Sequence, residues 1–78
     1  MNTKLVAYRK MLQMNQKSIA EKIGISLVSY SNKETGKTEF TQNEMITITN
    51  IIKEKIPNIT MDDIFFDNRV SILVTGTA

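Results

Sequence analysis

An all-α domain of five helices is predicted by two observations. Apolar residues recur at helical spacing, and a capping residue stands before, or a glycine or proline after, almost every such stripe. Leu5, Tyr8 and Leu12, with Met11 alongside, lay one stripe on a first helix that ends near Gln13. Asn15 occupies an N-cap position, because its side-chain oxygen can accept from an amide two or three residues on. Ile19, Ala20 and Ile23 then mark a short second helix of about eight residues, closed by Gly24, since glycine enters the left-handed backbone region without strain.

Ser26 offers a fresh N-cap at once, so two short helices are joined by a tight turn. The third helix is expected from Leu27 to Glu34, stopping before the turn-forming Thr35-Gly36, with Ile25 and Tyr30 facing inward. Thr41 and Glu44 form a T-x-x-E capping box. The fourth helix carries its stripe on Met45, Ile48, Ile52 and Ile56, with Ile51 beside it, and is expected to end at Pro57, which disfavours helical geometry in the residue before it. Thr60 and Asp63 repeat the capping pattern for one short turn through Phe65.

Residues 1–66 are read as one domain and 67–78 as a C-terminal tail. In the tail, Val70, Ile72 and Val74 alternate with Ser71, Leu73 and Thr75. Three readings fit it: a strand pairing with its twin across a homodimer, a flexible end, or in part a remnant of cloning. Phe65 and Phe66 with Val70 to Val74 are a candidate dimer face, which the sequence leaves open.

Composition narrows function before any motif does. The chain has no histidine and no cysteine, which removes the usual general base near neutral pH, the thiol nucleophile and most zinc ligands. An enzyme is therefore not expected, nor a cofactor, a metal or a small-molecule substrate. Asp62, Asp63 and Asp67 cluster beside a helix start, where negative charge favours unpaired amides; no glycine-containing calcium loop surrounds them. The absence of cysteine, and an N-terminus without an apolar signal segment or any membrane-length run, predict a cytoplasmic protein.

Charge is unevenly placed. Residues 1–40 hold seven Lys and Arg against three Glu, a net +4, whereas residues 41–78 hold three against five, a net −2. A basic half is what a phosphate-facing surface requires, although a solvated basic face is the ordinary alternative.

The stretch from Asn15 to Lys37, NQKSIAEKIGISLVSYSNKETGK, has the spacing of a DNA-reading pair of helices. Ala20 is small where the helices cross closely, and Ile19 with Tyr30 can fill the wedge between them; a plain helical hairpin in a bundle shares these features. Residue by residue, the chain resembles the Cro/repressor-type, or XRE, helix-turn-helix family over residues 4–66, and within it the small phage regulators. The resemblance is carried by Gln16, Ile19-Ala20, Gly24-Ile25-Ser26, Tyr30-Ser31, Lys33-Glu34, Gly36-Lys37, Phe40-Thr41, Glu44 and Asp63-Ile64-Phe65-Phe66.

That resemblance implies a five-helix domain of the lambda-repressor kind, bound to double-stranded operator DNA with its third helix in the major groove. Gln16 is then placed at the backbone and first base, with Lys17 and the amides of the second helix near phosphate. Ser26 caps the reading helix; Leu27, Val28, Ser29 and Asn32 take the base-reading positions, and Lys37 and Thr38 lie by the next phosphates. Asn32 is suited to adenine, since a carboxamide can pair with N6 and N7 together. Lys33 stands where relatives often carry an apolar residue, its stem able to lie over the core with the ammonium in water.

Leu27 and Val28 depart from the polar residues common at these positions, and aliphatic groups in a groove can meet only thymine methyls. Two partners follow. One is operator DNA, in a regulator of a temperate-phage lysis–lysogeny switch in a bacterial host. The other is a phage repressor, whose DNA-binding domain an antirepressor would cover through the same aliphatic residues. An antitoxin of the same domain type is a third reading.

Overall fold

The computed structural model describes residues 2–66; the tail from 67 to 78, with the dimer strand expected in it, lies outside the described residues. Among them the chain forms four α-helices, α1 (Thr3–Met11), α2 (Gln16–Ile23), α3 (Leu27–Thr35) and α4 (Gln42–Lys53), followed by a π-helical turn at Asp62–Phe66. The all-α expectation holds.

The helix starts are set by single side chains. Asn15 Oδ1 accepts from the Ser18 amide at 2.7 Å, and Ser26 Oγ from the Ser29 amide at 3.1 Å. Thr41 and Glu44 close the capping box reciprocally, at 2.8 and 3.2 Å. Thr60 and Asp63 do the same at the π-helical turn, at 3.0 and 3.1 Å, and that turn runs to Phe66, one residue beyond the expected limit.

The helix ends divide into the expected and the unexpected. Gly24 (φ +81°) and Gly36 (φ +95°) take left-handed backbone after α2 and α3, so α3 extends through Thr35, one residue further than its sequence signals suggested. The end of α1 is made without glycine: Gln13 itself sits at φ +57°, while the Met14 amide reaches back to the Arg9 carbonyl at 2.9 Å. The fourth helix stops at Lys53, four residues short of Pro57. A proline ring clashes with the carbonyl four residues earlier, which here is that of Lys53, so its effect begins there. Tight turns follow, in which the Lys55 and Ile56 amides both donate to the Ile52 carbonyl. Ile56 is still half-buried against the core.

Leu5, Ile19, Ala20, Tyr30, Ile48, Ile52, Ile59 and Ile64 form the buried centre. Helix α2 packs on α3 and α4, and α1 on the π-helical turn. The rings of Tyr30, Phe40 and Phe65 meet edge to face in sequence, at 5.8 and 5.5 Å between centroids. Ile25, expected inside, is only half-buried at the turn, and Met11 on the α1 stripe is exposed.

Gly24 lies at the joint that sets the angle of α3. A Cβ built on it meets nothing within 4 Å, so the whole cost of a side chain there is backbone strain. Gly24→Ala is expected to lower stability by about 1 kcal/mol, and Gly24→Asn by less, because asparagine tolerates left-handed geometry. Urea denaturation of the two variants checks this; equal stability of Gly24→Ala and the parent would contradict it.

Candidate nucleic-acid interface

Helix α3 turns Tyr30 and Glu34 inward, one turn apart on its buried side. At 100° per residue the opposite side is centred on Val28 and Asn32, flanked by Ser29, Ser31 and Thr35. Val28 is 70 % exposed and Leu27, at the first position of the helix, 46 %. The Asn32 carboxamide makes no hydrogen bond among the described residues, whereas its backbone carbonyl is engaged by Thr35 Oγ1 and the amides that close the helix. Val28, Ser29 and Asn32 thus share one outward face; Leu27 lies round the helix on the side of Tyr30 and Glu34 and is exposed because it opens the first turn.

Around that face the electrostatics favour an anion. Neither α2 nor α3 carries an acidic residue in its first turn, so the positive ends of both helix dipoles are left uncompensated, whereas α4 has Glu44 there. Lys17 is exposed in the first turn of α2, and Lys37 and Thr38 are exposed just beyond the end of α3. The Ser26 hydroxyl is occupied as the α3 cap and acts by shaping the helix start.

Two of the expected contact residues are tied into the protein itself. The Lys33 ammonium does not stand in water: it pairs with Glu44 Oε1 at 2.8 Å and donates to the Glu39 carbonyl at 3.3 Å, joining α3 to the start of α4. Burial alone would raise the Glu44 pKa, but the bonds from Lys33 and Thr41 outweigh it and hold the carboxyl below its ordinary value. Gln16 is half-buried, and its Nε2 donates to Glu34 Oε1 at 2.8 Å.

Glu34 is the hub beneath the interface, and its role was not read from the sequence. Its side chain also accepts from Arg9 Nε at 2.9 Å, Arg9 Nη2 at 3.0 Å and the Tyr30 hydroxyl at 2.7 Å. Three helices are thereby fastened to one carboxylate, with Arg9 supplied by α1, Gln16 by α2 and Tyr30 by α3. Burial pushes the carboxyl pKa up, yet the donated bonds win and leave it lowered. Burial and the same carboxylate raise the Tyr30 pKa, and the bond to Glu34 raises that of Arg9. A faint signal was available: Glu34 is four residues after Tyr30, hence on the inward side, where an acid needs a cation. The end of α3 is fastened as well, because the Asn2 amide donates to the Glu34 carbonyl at 3.0 Å and its side chain to the Lys33 carbonyl at 2.9 Å.

Against known families, residues 5–60 match Helix-turn-helix, which is well over half of the chain's 78 residues. The chain belongs to the XRE-type helix-turn-helix family. The matched domain is a DNA-binding regulatory one, not a catalytic one, in keeping with the outward face of α3 and the acid-free helix starts beside it. Comparison with curated proteins and with solved structures returns no significant match. Among the described residues no helix is long and apolar enough to cross a membrane, and no cluster of acidic residues has metal-binding geometry.

Proposed function

We propose that this helix-turn-helix protein is a transcriptional regulator of a temperate-phage lysis–lysogeny switch, acting in the bacterial cytoplasm as a homodimer on a roughly palindromic operator. The observation that carries the reading is the outward face of α3, with a free carboxamide at Asn32 and two acid-free helix starts alongside it. In this reading Val28, Ser29 and Asn32 meet base edges, Leu27 the rim of the groove, and Lys17, Lys37 and Thr38 the phosphates. Gln16 acts through Glu34, which fixes α2 against α3, as well as at the backbone. Lys33 serves by holding α3 to α4.

The test is a mobility shift on DNA flanking the protein's own gene at several salt concentrations. A complex that weakens steeply with salt is the expected result, because each phosphate contact releases counterions. Undetectable binding even at low salt overturns the proposal.

A second reading is favoured by the exposure of Leu27 and Val28, since exposed aliphatics serve as anchors in protein interfaces. The protein is then an antirepressor that covers the DNA-binding domain of the phage repressor. Co-purification with that repressor would support it, and a complex that survives Leu27→Asp with Val28→Asp would argue against it.

A further inference from the structure

We infer that Val28 and Asn32 form a composite base reader, specific for an adenine accompanied by a pyrimidine C5-methyl group, that of thymine, no more than two base pairs away. The inference rests on the DNA-binding reading and extends it to the identity of the bases.

Val28 and Asn32 are separated by one helical turn on the side of α3 opposite Tyr30 and Glu34. Side chains four residues apart on a helix are about 5–6 Å apart at Cβ. Successive base pairs are about 3.4 Å apart along the duplex, so the two residues reach neighbouring pairs or pairs one step further apart. Asn32 offers a donor and an acceptor side by side, both uncommitted within the protein, which matches the acceptor N7 and donor N6 of adenine.

Val28 has neither donor nor acceptor, so hydrogen bonding cannot make it selective. The apolar group exposed on base edges in the major groove is the C5-methyl, and Val28, 70 % exposed at the centre of the face, is placed to cover it. Desolvating both groups at once is favourable only where a methyl is present. Cytosine methylated at C5 carries an identical group, so the chemistry recognised is the methyl, and thymine is its source in unmodified DNA.

The experiment selects duplexes from a randomised pool with the full chain at low salt, then measures affinity for a selected duplex with modified bases. Deoxyuridine in place of the key thymine removes one methyl and is expected to weaken binding about fourfold, the worth of burying one such group. Val28→Ser, at an exposed position that leaves the fold intact by circular dichroism, should abolish that sensitivity. In the same way 7-deazaadenine should weaken the parent and leave Asn32→Ala unaffected. Placing 5-methylcytosine where plain cytosine weakened binding should restore part of the loss.

Selected sites without a thymine preference, or deoxyuridine losses equal in the parent and in Val28→Ser, overturn the inference while DNA binding stands. Failure to select any duplex overturns both and returns this face to a protein partner.

Discussion

Glu34→Gln is expected to lower folding stability by about 3 kcal/mol, because it leaves the Arg9 guanidinium, 11 % exposed, without its counter-charge. The amide is the same shape as the acid, so the loss does not come from packing. Both carboxylate oxygens accept two bonds each, one from Arg9 and a second from either Gln16 or Tyr30. Whichever way the amide is turned, its NH2 faces donors in place of an acceptor. In a domain of this size such a loss lowers the melting midpoint by roughly 12 °C or more. Urea denaturation of parent and variant measures it, and a loss below about 1 kcal/mol would contradict a buried, charge-paired hub.

The same carboxylate gives stability a pH dependence of definite sign. Glu34 and Glu44 have folded-state pKa values below the ordinary 4.5. A depressed carboxyl contributes stability that is complete above the unfolded value and is lost as pH falls through the folded one, since protons then bind the unfolded chain more tightly. Stability should therefore be level above about pH 6 and decline as pH drops below 4.5. Glu34→Gln should flatten part of that decline. A parent whose stability rises on acidification through this range would show the sign to be wrong.

Much of the fold was legible because its boundaries are local. Asn15, Ser26 and the Thr41–Glu44 pair each act within three residues, and Gly24 acts on its own φ, so a linear reading captures them. Gln13 escaped because the left-handed conformation is imposed on it by the Arg9–Met14 connection, not by its own preference. The early end of α4 is hidden for a different reason: a proline restricts the residue before it, here Ile56, but its ring also bears on the carbonyl of Lys53, where the helix ends. Ile59, outside every helical stripe, is core because the turns after Lys53 fold it back.

At the site the division is similar. The outward set of Val28, Ser29 and Asn32 follows from helical periodicity alone. What periodicity omits is partnership: Arg9 and Glu34 are 25 residues apart, and Lys33 and Glu44 are 11 apart, with no local rule to join them. Charged residues that are candidates for DNA thus divide into Lys17 and Lys37, which have no ion pair among the described residues, and Lys33, already spent on the fold.

That division makes a quantitative expectation for affinity. Replacing both Lys17 and Lys37 by alanine should weaken operator binding about sixtyfold at 0.1 M salt, with little change in stability. Each lost phosphate contact reduces the slope of log affinity against log salt by about 0.9, which at this concentration is close to one decade in affinity. The two together should lower the slope by about 1.8 without altering which sequence is preferred, since phosphate contacts carry no base information. Lys33→Ala should behave in the opposite manner, lowering stability through the loss of its bond to Glu44 while leaving the salt slope nearly unchanged. Titrations of parent and variants on one duplex over a range of salt concentrations separate these effects. An unchanged slope in the double variant would remove both lysines from the phosphate contacts. A parent slope near zero would remove the groove itself, because a protein partner held by Leu27 and Val28 releases few counterions.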